Sequence, residues 1–305
     1  MEKKPSGWIF ASDAAERTEA LSRRYPFVGC SRIGSSFFGE ALFLLRIGEG
    51  RLPILYIGAH HGMENLTAAL LFRFAEELCK KIEGGETVCG VSTAYLLRHR
   101  SLYLLPLLNP DGAMIAGGGM KNGHPLYERL WKLNKNSDNF SRWQANGRGV
   151  DLNHNYNAGF AEYAALAAGE GLFGGAPTRY PGEYPESEPE TAALCALVRE
   201  LRPALSLSLH TQGEEIYASS CGQTDARSSV VAELAARLTG YRFTKPEGGA
   251  AYGGYTDWVI GELGLPSLTL ECGKGTNPLP GELLPAVYAR LRTLLFRAPI
   301  LVGDG

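Results

Sequence analysis

The feature that most constrains the fold is an apolar run at residues 53–59 that ends in His60 and His61. The aliphatic residues of this run are typical of a buried strand, and a helical pattern begins near Glu64, three positions after His61. Two side chains at positions i and i+3 of a strand-to-helix corner can point in the same direction. The spacing of His61 and Glu64 therefore suits two ligands of one small cation.

Two later apolar runs end in the same way. Residues 204–209 are followed by His210, and residues 266–270 are followed by Glu271. Reactive groups in open α/β sheets gather at the carboxyl ends of the strands, so these strand ends bring two histidines and two glutamates to one crevice. Two histidines and one glutamate are a typical catalytic zinc set with an open position for water, and the remaining carboxylate is free to act as a base.

Each of these signals also has an ordinary structural explanation. A His-x-x-Glu spacing arises often by chance, and a histidine at the end of a strand is usually a satisfied polar residue. A glutamate after a strand is usually its first solvated residue. The combination favours a metal site, because all of these groups follow equivalent ends of predicted strands.

The composition is that of an ordinary globular protein. The 305 residues are 45% hydrophobic and 20% charged, and a net charge of −2 without a basic stripe argues against a nucleic-acid partner. Residues 1–7 are too short and polar to open a signal peptide, and no run approaches a membrane span. Six scattered cysteines without a CxxC pair favour a reducing compartment. We therefore expect a cytoplasmic protein with no membrane partner.

The rest of the chain alternates strand and helix patterns. Further strands are predicted at 27–33, 41–47, 102–108 and 214–218, and helices at 13–24, 63–82, 91–98, 188–201, 225–238, 256–263 and 281–297. Residues 109–179 show little periodicity, and a long segment of this kind inside a compact domain is more often functional than idle. The alternation predicts one α/β domain across residues 1–305, with a mixed sheet covered by helices on both faces.

Five motifs, taken together and in this order, resemble the zinc carboxypeptidase family. The resemblance covers about residues 20–298, and it implies an eight-stranded, mostly parallel mixed sheet, peptidase activity and one zinc ion per chain. The motifs are His61-Gly62-Met63-Glu64, Asn109-Pro110-Asp111-Gly112, Gly149-Val150-Asp151-Leu152-Asn153, Leu209-His210-Thr211 and Thr269-Leu270-Glu271.

The resemblance also implies a role for each matching residue. His61, Glu64 and His210 match the zinc ligands, and Glu271 matches the general base and acid that activates water. Asp151 matches a carboxylate that orients the first histidine ligand.

The substrate-binding residues depart from the family pattern. Asn153 matches a residue that holds the substrate's carboxylate, but His154 replaces the family's next arginine, and an imidazole cannot form two parallel hydrogen bonds. The arginine that polarises the scissile carbonyl falls on Lys132, with Arg148 as an alternative.

Three further positions concern the cover and the floor of the site. The family's mobile tyrosine has no direct match in this chain, and Tyr252 or Tyr255 could cover the site instead. Thr256 falls at the floor of the specificity pocket, so neither an apolar nor a cationic side chain is obviously preferred.

These departures, with residues 187–190 and 209–217, resemble the bacterial γ-D-glutamyl-meso-diaminopimelate peptidases, which cut the stem peptides of the cell wall. Secreted members often carry LysM repeats, and we see no room for them before residue 20. The expected substrate is a small peptide or muropeptide, and a cytosolic enzyme of one domain would suit muropeptide recycling.

Three alternatives stay open. An ordinary carboxypeptidase would use the same zinc site on α-linked peptides. A desuccinylase or aspartoacylase-like enzyme shares His-x-x-Glu and a later histidine, although residues 109–112 and 149–153 favour the peptidase. A catalytically inactive wall-peptide-binding protein would belong to a different functional class.

Overall fold

A computed structural model describes residues 5–302 of the chain, so part of the polar N-terminal stretch lies outside the described residues. The longer helices are α1 (Ala11–Arg24), α2 (Leu66–Glu83), α3 (Thr93–His99), α4 (Pro110–Met114), α5 (Tyr127–Leu133), α6 (Phe160–Gly169), α7 (Pro189–Leu201), α8 (Ala226–Thr239), α9 (Tyr255–Gly261) and α10 (Leu284–Leu301). The strands are β1 (Val28–Ser35), β2 (Ala41–Ile47), β3 (Leu52–Ile57), β4 (Thr87–Val88), β5 (Val91–Ser92), β6 (Arg100–Leu105), β7 (Leu205–His210), β8 (Glu215–Tyr217), β9 (Ser219–Ser220), β10 (Gln223–Thr224), β11 (Arg242–Phe243) and β12 (Ser267–Glu271).

Eight of these strands form one mixed sheet in the order β1-β2-β6-β3-β7-β12-β8-β11. The four central strands β6, β3, β7 and β12 run parallel to one another. The pairs β1/β2, β2/β6 and β12/β8 are antiparallel. The predicted α/β class and the eight-stranded mixed sheet are therefore confirmed.

The central strands are buried on both faces, and β3 shows how its sequence produces this. Ile54 and Tyr56 pack into the core cluster that includes α2, α8 and α10. Leu55 and Ile57 pack into a second cluster with side chains of α7 and α9. Successive side chains of a strand point to opposite faces, so a continuous apolar run is what a doubly covered strand requires.

The segment 109–179 is more regular than the sequence predicts. It contains α4, a π-helical turn at 115–119, α5, a 3-10 turn at 152–154 and α6. These helices are short, and the sequence of α6 is dominated by alanine, so none carries a long periodic apolar stripe. A third core cluster around Trp143 holds the early part of the segment in place.

Two smaller differences concern element ends. Residues 91–92 form β5, which pairs with β4, and α3 begins only at Thr93. Strand β6 begins and ends earlier than predicted, because it pairs in register with β3 from Arg100 to Leu105. Within residues 5–302, no helix has both the length and the apolar character needed to cross a membrane.

Candidate metal centre

The carboxyl ends of three neighbouring parallel strands meet at one edge of the sheet. Strand β3 leads to His61, which caps a 3-10 turn at Gly62–Glu64, while His210 is the last residue of β7. In the parallel pairing of β12 with β7, Glu271 lies directly beside His210. The register of the sheet thus brings together groups that are up to 210 positions apart in the sequence.

The turn that carries His61 is fixed by the Asn-Pro-Asp-Gly motif. Asn109 caps α4 by accepting a hydrogen bond from Gly112 N–H, and its side-chain amide donates to the carbonyl of His60. A Cβ atom on Gly62 would lie 2.3 Å from the carbonyl of Gly112. Gly62 is therefore needed for the close backbone contact between the two motifs, whereas a Cβ atom on Gly112 would lie 2.4 Å from the carbonyl oxygen of Ala145.

The side chains of His61, Glu64 and His210 form one buried cluster. The Nδ1 atom of His61 lies 3.0 Å from Glu64 Oε1, and the Nδ1 atom of His210 lies 3.1 Å from Glu64 Oε2. One ligand atom from each residue lies within 4.8 Å of the others. Two imidazole nitrogens and one carboxylate oxygen, converging at this distance, fit the donor set of a zinc site with an open position.

The electrostatics of the cluster favour a cation. Burial opposes charge on Glu64, but the two histidines outweigh it and lower the pKa of Glu64 to about 2. Burial also opposes charge on His61, but Glu64 and Asp151 outweigh it and raise the pKa of His61 well above its ordinary value. A proton thus balances the carboxylates here, and a metal ion would compete with that proton for the same nitrogen.

Each candidate ligand histidine is also held by its outer nitrogen. The Nε2 atom of His61 lies 3.0 Å from Asp151 Oδ1, and the Nε2 atom of His210 lies 3.1 Å from Ser208 Oγ. The Ser208 hydroxyl also lies 3.3 Å from Nδ1 of His60, whose Nε2 lies 3.0 Å from the Tyr156 hydroxyl. These groups are buried in the structure.

The contact between His210 and Ser208 determines which ring nitrogen of His210 carries a proton when the other binds a metal. A neutral imidazole donates from one nitrogen and accepts at the other, so His210 can offer Nδ1 to a metal only if its Nε2–H donates to Ser208. The Ser208 hydroxyl then donates to His60, and His60 donates to Tyr156. Burial and the neighbouring histidines lower the pKa of His60, which keeps that ring neutral. With a metal on Nδ1 of His210, every proton of this chain would point away from the metal centre.

We expect Ser208→Ala to lower zinc affinity by about 10- to 100-fold, because His210 loses the acceptor that selects its metal-binding tautomer. Competition of the purified protein with a chelator of known affinity measures this change. Ser206→Ala is the matched control, since Ser206 is also buried in β7 but its hydroxyl donates to Ser267. Equal zinc affinity in the two variants would contradict the expectation.

Glu271 lies beside this cluster and is half-buried. Burial, followed by the negative charge of Glu64, raises the pKa of Glu271 well above its ordinary value. Its antiparallel neighbour on β8 is Glu215. A carboxylate next to the candidate ligands, but outside the set of three, is available for proton transfer.

The structure places Asn153 and His154 on the 3-10 turn that follows Asp151. Asn153 Oδ1 accepts a hydrogen bond from the backbone N–H of Tyr255. The Nδ1 atom of His154 lies 2.9 Å from the carbonyl of Tyr252, and its ring stacks on Tyr163 with centroids 3.8 Å apart. Burial lowers the pKa of His154, which favours the neutral ring.

The two tyrosines proposed as covers differ in their surroundings. Tyr252 is half-buried in the loop before α9. Tyr255 is completely buried and packs against His60, Tyr156 and Trp258, so its use as a mobile cover is corrected by the structure. A ring enclosed on these sides cannot swing over a substrate.

Thr256 is buried at the start of α9, and its hydroxyl lies 2.8 Å from that of Thr269. Lys132 is exposed near the end of α5. The Arg148 Nε–H donates to Glu188, and its guanidinium lies 4.5 Å from the centre of the Phe37 ring. The charge of Arg148 is therefore already engaged.

No role for His60, Ser208 or Tyr156 was predicted from the sequence. Part of this connection has a sequence signal, because alternate residues of a strand share a face and Ser208 lies two positions before His210. Tyr156 has no such signal, since it lies 96 positions from His60. Thr211 was also missed, although its backbone N–H donates to Glu64 Oε2.

Comparison with known proteins gives several related sequences. The chain is 33% identical over 269 residues to "Gamma-D-glutamyl-L-diamino acid endopeptidase 1" of Lysinibacillus sphaericus, which covers 88% of this chain and 66% of the relative. It is 26% identical over 273 residues to human "Carboxypeptidase B", which covers 83% of this chain and 60% of the relative. The chain thus spans less than two thirds of the length of these relatives.

Solved structures share the fold. Bovine thrombin-activatable fibrinolysis inhibitor superposes with a TM-score of 0.71 at 21% identity, over 96% of each chain. Murein-tripeptide amidase of Escherichia coli O157 superposes with a TM-score of 0.55 at 23% identity, over 88% of this chain and 92% of the other. A sequence model of the family described as "Zinc carboxypeptidase" matches residues 15–291. The chain therefore belongs to the zinc carboxypeptidase family.

Proposed function

We propose that this peptidase hydrolyses the amide bond between γ-D-glutamate and meso-diaminopimelate in bacterial stem peptides. The observation that carries the proposal is the 33% identity, over 88% of this chain, to a protein named as an endopeptidase for γ-D-glutamyl-diamino acid bonds. The replacement of the family's arginine by His154 supports it, because a substrate that is not an ordinary C-terminal peptide needs a different carboxylate site.

In this proposal His61, Glu64 and His210 hold the zinc ion. Asp151 and Ser208 orient the two imidazoles through their outer nitrogens. Zinc, when bound, supplies Lewis-acid polarisation of the scissile carbonyl and of the attacking water.

Glu271 is the proposed general base. Its carboxylate takes a proton from the attacking water and returns it to the leaving amine nitrogen. A cation then stabilises the negative charge that develops on the carbonyl oxygen, a contribution worth on the order of 10²–10³ in rate. Because Arg148 is engaged by Glu188, Lys132 is the better candidate for this role.

The proposed substrate-binding groups lie on two adjoining segments. Asn153 and His154 follow Asp151, while Tyr252 and Thr256 belong to the loop and helix that contact them. The neutral state that burial favours for His154 makes it a hydrogen-bonding partner rather than a fixed positive charge.

We expect the zinc-loaded protein to release diaminopimelate from L-Ala-γ-D-Glu-meso-diaminopimelate at least about 100-fold more efficiently than it releases the last residue of α-linked peptides. The measurement is kcat/KM for both substrates on one preparation of known zinc content. Faster cleavage of the α-linked peptides would instead identify an ordinary carboxypeptidase. Bound zinc without hydrolysis of either substrate would favour the inactive wall-peptide-binding protein.

A further inference from the structure

A cavity of about 410 Å³ lies beside His154. One wall is formed by α6 and the residues that follow it, and the backbone of residues 248–250 forms another part. Its polar side chains are those of His154, Tyr163, Glu170 and Arg179, and its apolar side chains include Leu166 and Leu172. The cavity thus combines one acidic and one basic group with an apolar wall.

The carboxylate of Asp151 joins this cavity to the metal centre. Its Oδ1 atom lies 3.0 Å from Nε2 of His61, and its Oδ2 atom accepts a hydrogen bond of 2.9 Å from the backbone N–H of Arg179. His154 lies three positions after Asp151 on the same turn. The side chain of Asp151 therefore contacts both the ligand His61 and Arg179 in the wall of the cavity. A substrate bound at the metal centre would lie close to this cavity.

The ion pair in the cavity contributes little to the stability of the fold. The Arg179 guanidinium lies 2.7 Å from Glu170, and both side chains are about half exposed, at 56% and 52%. Exposed pairs of this kind contribute little to stability. Arg179 also has a φ of +64°, a conformation that costs free energy in a non-glycine residue and is most often kept at functional sites.

We propose that this cavity binds the distal end of the diamino acid in the substrate, with Arg179 pairing with its carboxylate and Glu170 with its ammonium group. This inference rests on the proposed function. Diaminopimelate carries both an ammonium group and a carboxylate beyond a short methylene chain. The Arg179–Glu170 pair offers the opposite charges, and Leu166 and Leu172 offer an apolar surface for the methylene groups.

The ring of His154 is already engaged by its neighbours. Stacking on Tyr163 and the hydrogen bond to the Tyr252 carbonyl hold that ring in one orientation. A substrate carboxylate needs a cation or several donors when it leaves water. Among the described side chains that line this cavity, Arg179 supplies the guanidinium that can meet a carboxylate in two parallel bonds.

Two substrates separate the roles of the two charged residues. A tripeptide ending in meso-diaminopimelate has both the distal ammonium and the distal carboxylate, whereas one ending in L-lysine keeps only the ammonium. We expect Arg179→Gln to lower kcat/KM by about 10- to 100-fold for the diaminopimelate substrate and to leave the lysine substrate nearly unchanged. We expect Glu170→Gln to lower kcat/KM for both substrates.

Arg23→Gln is the matched control, because Arg23 forms an exposed pair with Glu19 on α1. Zinc content and circular dichroism on each variant show whether it is folded, and Arg179→Lys should restore part of the lost activity as a point charge. An equal loss on both substrates in Arg179→Gln, or no loss, overturns the inference while wild-type cleavage upholds the proposed function. Failure of the wild-type protein to cleave either tripeptide overturns both.

Discussion

Glu271→Gln is expected to lower kcat by about 10²–10⁴-fold while the protein still binds zinc as tightly as the wild type. Glutamine has the shape of glutamate but cannot accept the proton of the attacking water at neutral pH. Glu271 lies outside the set formed by His61, Glu64 and His210, so its replacement leaves all three candidate ligands in place. Activity should therefore fall without loss of the metal.

The experiment compares single-turnover hydrolysis with zinc content in the same preparation. Glu215→Gln is the matched control, because Glu215 lies directly opposite Glu271 in the neighbouring strand and is also half-buried. We expect that control to keep most of its activity. Wild-type turnover in a zinc-loaded Glu271→Gln protein would remove Glu271 from the role of general base.

The grouping of His61, His210 and Glu271 could be predicted from the sequence for a physical reason. Each follows an apolar run that has to be a buried central strand, and parallel strands end at the same edge of a sheet. Glu64 could be included because it follows His61 by one turn. The sequence thus contains enough information to place these side chains near one another without a contact map.

The groups that hold the two histidines were only partly predictable. Asp151 was assigned through the family resemblance, and nothing local in the sequence connects it with His61, 90 positions away. Tyr156 and Tyr255 lie on different segments, and their packing around His60 depends on how the segment 109–179 folds over the sheet. The burial of Tyr255 was not predictable, because an aromatic residue next to glycines in a loop pattern carries no signal of its burial.

The charged residues of the cavity beside His154 were even less predictable from the sequence. Glu170 and Arg179 lie in a stretch without periodicity, and neither belongs to one of the motifs that resemble the family. Their proximity depends on α6, which the sequence did not predict because its alanine-rich pattern lacks a clear apolar stripe. Irregular segments place side chains through tertiary contacts rather than through a repeating backbone geometry, so their sites appear only in the structure.

His210→Ala should abolish stoichiometric zinc binding, with a loss of affinity greater than the roughly 10- to 100-fold typical of changing a group that only orients a ligand. The change removes one of the three converging ligands and leaves the carboxylate of Glu64 without one of its two imidazole partners. Zinc raises the melting temperature of a protein that binds it only in the folded state, so the wild type should show this shift and the variant should not. His99→Ala is the matched control, since His99 is exposed and stacks on Tyr95 outside the metal centre. A His210→Ala protein that retains one zinc ion per chain after dialysis would show that His210 is not a ligand, and the metal centre would then have to be built from other residues.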